Sequence, residues 1–229
     1  MFSTDAPMTK SERTRAQLRE IALRSFRERG YDDTTIRLIA QEAGVSVGTT
    51  HYHFASKNHL VQELYLDVQE GHRAAAEPGL AASTDLVDRV GIVYRTGLDQ
   101  LEPYHGFAPG FLSAAVSPRS PINPLSDDSA PALAIVEGLF REAVDGADDR
   151  LPADLRDALP QALVIGHLLL AMFWVYDSSP GQRRTRLLLD RGLRLLRLGL
   201  PLARLPIMRA PLRELLGLIA DVRIGSTAG

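Results

Sequence analysis

At 229 residues, 45% hydrophobic and 24% charged, the chain has room for one or two domains with a substantial core, and its composition is that of an ordinary soluble globular protein. It contains no cysteine, which excludes disulfides and thiolate metal sites. A formal net charge of -2 excludes a polycation, so any affinity for nucleic acid must rest on where charge sits rather than on its sum.

The first residues, Met1 to Thr9, include Asp5 and Pro7 and no apolar run. They read as a disordered arm and not as a signal peptide. From Lys10 to Arg29, seven basic residues stand against three acidic ones. In the same stretch Leu18, Ile21, Ala22, Ser25 and Phe26 recur at three- and four-residue spacing. They predict a helix from about Ser11 to Arg29, closed by Gly30. Tyr31 leads into Asp32-Asp33-Thr34-Thr35, a run of N-cap residue types. A short helix is expected from Thr35 to Ala43, with Ile36, Ile39, Ala40 and Ala43 on its apolar side. Gly44 breaks it, and Ser46 caps a third short helix to about His53. A fourth helix starts after Ser56, with Leu60, Val61, Leu64, Tyr65 and Val68 spaced for burial, and a loop is expected at Glu77-Pro78-Gly79.

Beyond that loop the helical pattern resumes over Asp85 to Leu101 and roughly Tyr104 to Ala115. Ser117 to Pro131 holds four prolines and reads as a long loop. Helices are expected again over Ala132 to Val144, over Asp154 to Tyr176 with a bend near Pro160, over Gln182 to Leu200, and over Leu212 to Val222. The most apolar run, Ala162 to Tyr176, is shorter than the roughly 20 residues a bilayer crossing needs and reads as a buried helix. The fold class is therefore all-α.

The informative segment is Thr34 to Lys57, TTIRLIAQEAGVSVGTTHYHFASK. Two short helices joined at a glycine make a helix-turn-helix, in which the first helix supports a second that can lie in the major groove. Gly44 permits the positive φ of a sharp turn, and Gly48 and Thr49 present little bulk to a duplex. The order and spacing of Ala22, Phe26, Gly30-Tyr31, Thr34-Thr35, Ile39-Ala40, Ala43-Gly44-Val45-Ser46, Gly48-Thr49, Tyr52-His53-Phe54 and Ser56-Lys57 are similar to those of the DNA-binding domain of the TetR (tetracycline-repressor) family. The likeness covers about a quarter of the chain, Arg13 to Leu64.

That resemblance implies an N-terminal three-helix DNA-binding domain with a connecting helix, residues 1–72. It also implies a larger helical domain, residues 73–229, that binds a small effector and forms a homodimer through its last long helices. Thr34 and Thr35 match positions that bond a backbone phosphate, and Arg37 one that reaches a base or phosphate. Ser46, Val47, Gly48 and Thr49 match the front of the recognition helix. Tyr52 and His53 match aromatic positions near phosphates, and Lys57 a phosphate-holding lysine. Thr50 and His51 depart from the family pattern, which has an apolar residue and a tyrosine there; His51 can still donate to a phosphate. The recognition helix carries no Lys or Arg, so modest affinity per half-site and dependence on dimer binding are expected.

His51 and His53, two apart on a helix, point in different directions and are not read as a metal pair. The effector-lining candidates are Tyr94, Tyr104, His105, Phe107, Phe111, Phe140, His167, Phe173 and Trp174. Those from Tyr104 to Phe111 read as a pocket flap. Those on Gln161 to Tyr176 read equally as ligand lining and as core with dimer interface. The Arg- and Leu-rich stretch from Arg183 to Leu200 can cover a membrane surface or pack on its twin, and the family likeness favours the twin.

No Gly-x-Ser-x-Gly elbow, phosphate loop or cysteine nucleophile is present, so an enzyme is not expected, and no cofactor or metal is called for. The reading is a cytoplasmic regulator whose partners are a double-stranded DNA operator of near-palindromic sequence, a small hydrophobic effector and a second copy of itself, with no membrane. The rival is a helical ligand-binding or membrane-associated dimer with a degenerate helix-turn-helix.

Overall fold

The computed structural model describes residues 8–117, 119–149 and 151–202, with Leu205, Ile207, Pro211, Glu214 and Gly217. Residues 1–7 of the expected arm and the helix expected over Leu212 to Val222 lie outside the described residues as continuous elements. Among the described residues all regular structure is helical, and no strand occurs. The chain divides into two compact units. One comprises Met1–Tyr65 with Gly106–Asn123, the other Leu66–His105 with Pro124–Gly229. By this division α4 is shared between the units, and a segment from the middle of the chain joins the N-terminal one.

In the N-terminal unit, α1 (Lys10–Asp33) opens with a capping box. Thr9 N–H donates to Glu12 Oε2 at 2.7 Å, and Glu12 N–H donates to Thr9 Oγ1 at 3.2 Å. Its regular run breaks at Gly30, whose φ of 79° lies in the left-handed region. Leu18, Ile21, Ala22, Leu23 and Phe26 form its buried stripe. The helices α2 (Ile36–Glu42) and α3 (Val47–His53) follow, then the start of α4 (Lys57–Ala82). The short α6 (Ala108–Ala115) packs on α1, with Phe111 edge-on to Phe26 and Tyr31 at centroid separations of 5.6 and 5.8 Å. The segment Ser120–Asn123 is tied to α4 by Gln62, which donates to Pro121 O, and by the Tyr65 hydroxyl, which donates to Ile122 O at 2.9 Å.

In the C-terminal unit the expected loop at Glu77-Pro78-Gly79 does not form: α4 runs through Pro78 to Ala82. An interior proline costs a helix about 3 kcal/mol. Here the cost is offset by burial of Ala76 and Leu80, and by Arg89, which closes the end of the helix. The Arg89 guanidinium is buried and meets no carboxylate among the described residues. It donates to four main-chain carbonyls: Leu80 and Ser83 at the end of α4, and Glu142 (2.7 Å) and Ala143 (2.9 Å) near the end of α7 (Ala130–Asp145). The negative ends of two helices supply its counter-charge.

The helix α5 (Leu86–Leu101), capped by Asp85, packs on α7 and on α9 (Arg183–Leu202), and α7 packs on α8 (Ala153–Tyr176). The helix expected from Tyr104 to Ala115 is instead a 3-10 turn, Glu102–Tyr104, followed by α6. The proline-rich loop ends at a 3-10 turn, Asp127–Ser129, with Pro131 in the first turn of α7, where its missing N–H is not needed. The helix α8 continues through Pro160 and has 24 residues, so by length and composition alone it is apolar enough to cross a membrane, more than the sequence run from Ala162 suggests. Eight of its residues, Trp174 among them, are nonetheless buried. Asp177 then caps α9. Its carboxylate accepts from the N–H and hydroxyl of Thr185, both at 2.8 Å, and from those of Ser179 at 3.0 and 2.6 Å.

Candidate nucleic-acid interface

The turn between α2 and α3 is built by backbone geometry. Gly44 adopts φ 66°, its N–H donates to Gln41 O, and Val45 N–H donates to Ala40 O at 3.0 Å. The small, buried Ala40 and Ile39 form the inner side of α2. Each short helix is capped by a hydroxyl: Thr35 accepts from Leu38 N–H at 3.1 Å, and Ser46 accepts from Thr49 N–H at 3.0 Å. Thr50, where the family pattern has an apolar residue, is fully buried. Its hydroxyl donates to Ser46 O at 3.3 Å, so the polar atom is satisfied within the helix.

The outward side of α3 then carries Val47, Gly48, His51 and Tyr52, all exposed, with Ser46 at its start. Thr49 and His53 are half-buried at its margin, and the His53 ring lies edge-on to Tyr52 at 5.1 Å. The Ser46 and Thr49 hydroxyls bond each other at 2.9 Å, which removes part of their capacity for outside partners.

Thr34 and Thr35 are separated by the fold. Thr34 is completely buried, and its hydroxyl donates to Gly30 O at 2.7 Å, which corrects its expected place at a phosphate. Its side chain closes the broken end of α1 instead. Thr35 is exposed. Lys57 is half-buried: its Nζ donates to Tyr31 O at 2.8 Å and lies 3.8 Å from the centre of the Tyr31 ring. Burial lowers its pKa, against the opposing pull of Asp32 and Asp33. The Tyr31 hydroxyl donates to Asn58 Oδ1, so Lys57 and Asn58 together hold the end of α1 against the start of α4.

The basic run of α1 is largely tied to two acids. Arg24 and Arg29 both pair with Glu42 at 3.1 Å, and Arg15 and Arg19 pair with Glu63 at 2.6 and 3.0 Å. Exposed pairs stabilise little individually, but these decide which cations remain available. Lys10, Arg13 and Arg37 are exposed and make no side-chain bond among the described residues. The pairings depend on distant acids and had no local signal in the sequence; the Thr9-x-x-Glu12 box was readable and lay just ahead of the expected helix start.

The effector-lining candidates fall into separate places. Phe107 and Phe111 lie in the N-terminal unit, Phe111 against Phe26 and Tyr31. In the C-terminal unit Tyr94, Phe140 and His167 come together. Tyr94 and Phe140 rings are 4.9 Å apart, and Phe140 and His167 6.0 Å. His72, which sequence reasoning missed, stacks on His167 at 5.8 Å and lies 2.8 Å from Val93 O through Nε2. Gly97 lets α5 approach the pair, since a Cβ there would stand 2.8 Å from His167 Cε1. Burial, reinforced by the neighbouring His72, pushes the His167 pKa down to about 3. His105 and Trp174 form a second contact, with His105 Nε2 3.1 Å from Trp174 O. Tyr104 is half-buried and Phe173 is exposed. A surface cleft of about 210 Å³ lies elsewhere, between α5 and α9, lined mainly by Asp88, Arg95, Asp190, Arg194 and Arg197.

Two family models match the chain: the tetR family of bacterial regulatory proteins over residues 18–64, and the tetracyclin repressor-like C-terminal domain over residues 89–210. The HTH-type transcriptional regulator TtgR of Pseudomonas putida is 40% identical over 82 residues, 36% of this chain and 38% of its own. The HTH-type transcriptional repressor KstR2 of Mycobacterium tuberculosis is 31% identical over 91 residues, 40% of this chain and 46% of its own. The alignments thus span less than half the length of these curated relatives. The crystal structure of a TetR transcriptional regulator from Nitrosomonas europaea matches 79% of this chain and 96% of its own, with a TM-score of 0.60 at 18% identity, a likeness of fold. With its N-terminal helix-turn-helix and more than half its length matched by the C-terminal model, the chain belongs to the TetR family of transcriptional regulators.

Proposed function

We propose that this chain is a homodimeric repressor that binds a near-palindromic DNA operator and leaves it when a small hydrophobic effector occupies the C-terminal domain. The observation that carries the reading is the exposed outer side of α3, set on α2 by the Gly44 turn and left uncovered by the described residues. Residues 1–72 read DNA and residues 73–229 bind effector and dimerise. Arg37, Ser46, Val47, Gly48, Thr49, His51, Tyr52 and His53 face bases or phosphates; Thr35 meets a phosphate through its backbone end of α2, and Lys57 does so only by giving up part of its bond to Tyr31. Tyr94, Phe140 and His167 are the effector-contacting residues best supported by their mutual proximity. The protein works in the cytoplasm and carries out no catalysis.

Selection of bound sequences from random duplex DNA tests this. A near-palindrome is enriched by the wild type, and Arg37→Ala relaxes or loses it while remaining folded. A second reading, a membrane-associated dimer with a degenerate helix-turn-helix, draws on the length and apolarity of α8. Sequence-selective binding that falls steeply with salt excludes it; no enrichment, even after unfolding and refolding to remove a bound inhibitor, favours it.

A further inference from the structure

The outer side of α3 lacks every side chain that makes a bidentate contact to a base. It has no Arg or Lys for guanine and no Asn or Gln for adenine. Of its aliphatic hydroxyls, those of Ser46 and Thr49 are engaged with each other and that of Thr50 is buried, and the exposed Tyr52 hydroxyl stands near the far end of the helix. What remains at the leading end is Val47. It is the first residue of the helix, 40% exposed, on the same side as His51 one turn later and beside the bare backbone of Gly48. A branched apolar side chain held on a surface that otherwise offers polar rings matches one feature of the major groove: the C5-methyl group of thymine.

On the reading of α3 as the DNA-contacting helix, we propose that Val47 selects a thymine in each half-site through that methyl group. Val47 is then a specificity-determining residue that makes no hydrogen bond to a base. Gly48 lets the backbone come close enough for the contact, and the Ser46–Thr49 hydroxyl pair fixes the first turn from which Val47 projects.

The test uses the full-length protein and the operator obtained by selection. Each thymine of the half-site is replaced in turn by deoxyuridine, which removes the methyl and leaves the pairing edge unchanged. Affinity is read by fluorescence anisotropy at fixed salt. One position per half-site is expected to lose about fourfold in affinity, the worth of one buried methyl. Val47→Ala, an exposed change whose folding is checked by circular dichroism, is expected to bind the thymine and deoxyuridine operators equally. If every deoxyuridine substitution is silent, or if the loss persists undiminished in Val47→Ala, the inference is overturned while the DNA-binding reading stands. If no operator is enriched at all, both fall together.

Discussion

His167 is the residue whose surroundings say most about conditions. It is buried, makes no hydrogen bond among the described residues, and stacks on a second imidazole whose pKa is also lowered by burial, against its bond to Val93 O. The folded state holds His167 neutral down to about pH 3, whereas the unfolded chain takes up a proton near the ordinary value of 6.5. The unfolded state therefore binds more protons below 6.5, and stability falls as pH drops through that window. Between pH 6.5 and about 5 the loss from this residue is roughly 2 kcal/mol. Urea titrations of wild type and His167→Gln across that range should show the variant with the flatter acid limb; parallel slopes would show that the imidazole does not set the acid sensitivity. Asp177 is expected to act later in acid. Its burial raises the carboxyl pKa, but four hydrogen bonds from Ser179 and Thr185 outweigh this and hold it well below the usual range, so its stabilisation is lost only below the ordinary carboxylate pKa. At this scale the sequence was least informative. Nothing in the dipeptide Thr34-Thr35 says which hydroxyl turns inward, because that depends on Gly30 presenting its carbonyl to the interior.

At the scale of elements, the helices were legible wherever an apolar stripe and a cap coincided. The bounds of α2 and α3 follow from Thr35, Gly44 and Ser46, and α5 begins just after its cap, Asp85. Where a loop was expected and a helix formed, tertiary burial overrode a local breaker. Pro78 and Gly79 read as a loop, yet Ala76 and Leu80 bury their turn, and the Gly79 backbone sits against Ile92. The place of Phe107 and Phe111 beside α1 depends on contacts far apart in sequence, which no local pattern announces. Arg89 is the clearest case, since nothing marks it among the other arginines until two helix ends converge on it. Arg89→Leu should leave four main-chain carbonyls without this donor and cost roughly 4 kcal/mol, at about 1 kcal/mol for each. Thermal melting of the variant checks this. A change within experimental error would mean that water replaces the guanidinium at no loss.

For the whole molecule, the feature to account for is apolar surface. Leu169, Met172, Phe173 and Tyr176 follow helical spacing along one side of α8, and Leu187, Leu188, Leu195 and Leu198 stand on α9, which packs on α8; all are exposed. Exposed apolar side chains in such number suit an interface, and in the proposed dimer they meet their own copy about a two-fold axis. Arg184, Arg191 and Arg194 are exposed on α9 as well, and their aliphatic stems can cover the margin of this apolar surface. Leu195→Glu with Leu198→Glu should sediment as a folded monomer and lose operator binding, because a single half-site contact without Lys or Arg on α3 is weak. A double variant that still sediments as a dimer would place the interface elsewhere.

The same surface has a consequence for supply. In the proposed dimer, where the twin covers this apolar surface, the melting temperature is not fixed but follows the amount of protein. Each tenfold dilution removes about 1.4 kcal/mol from the stability of the pair. On that proposal, a cell that keeps fewer copies of the chain holds more of it as separated partners, which proteases cut more readily, so the amount made bears on how long each molecule lasts.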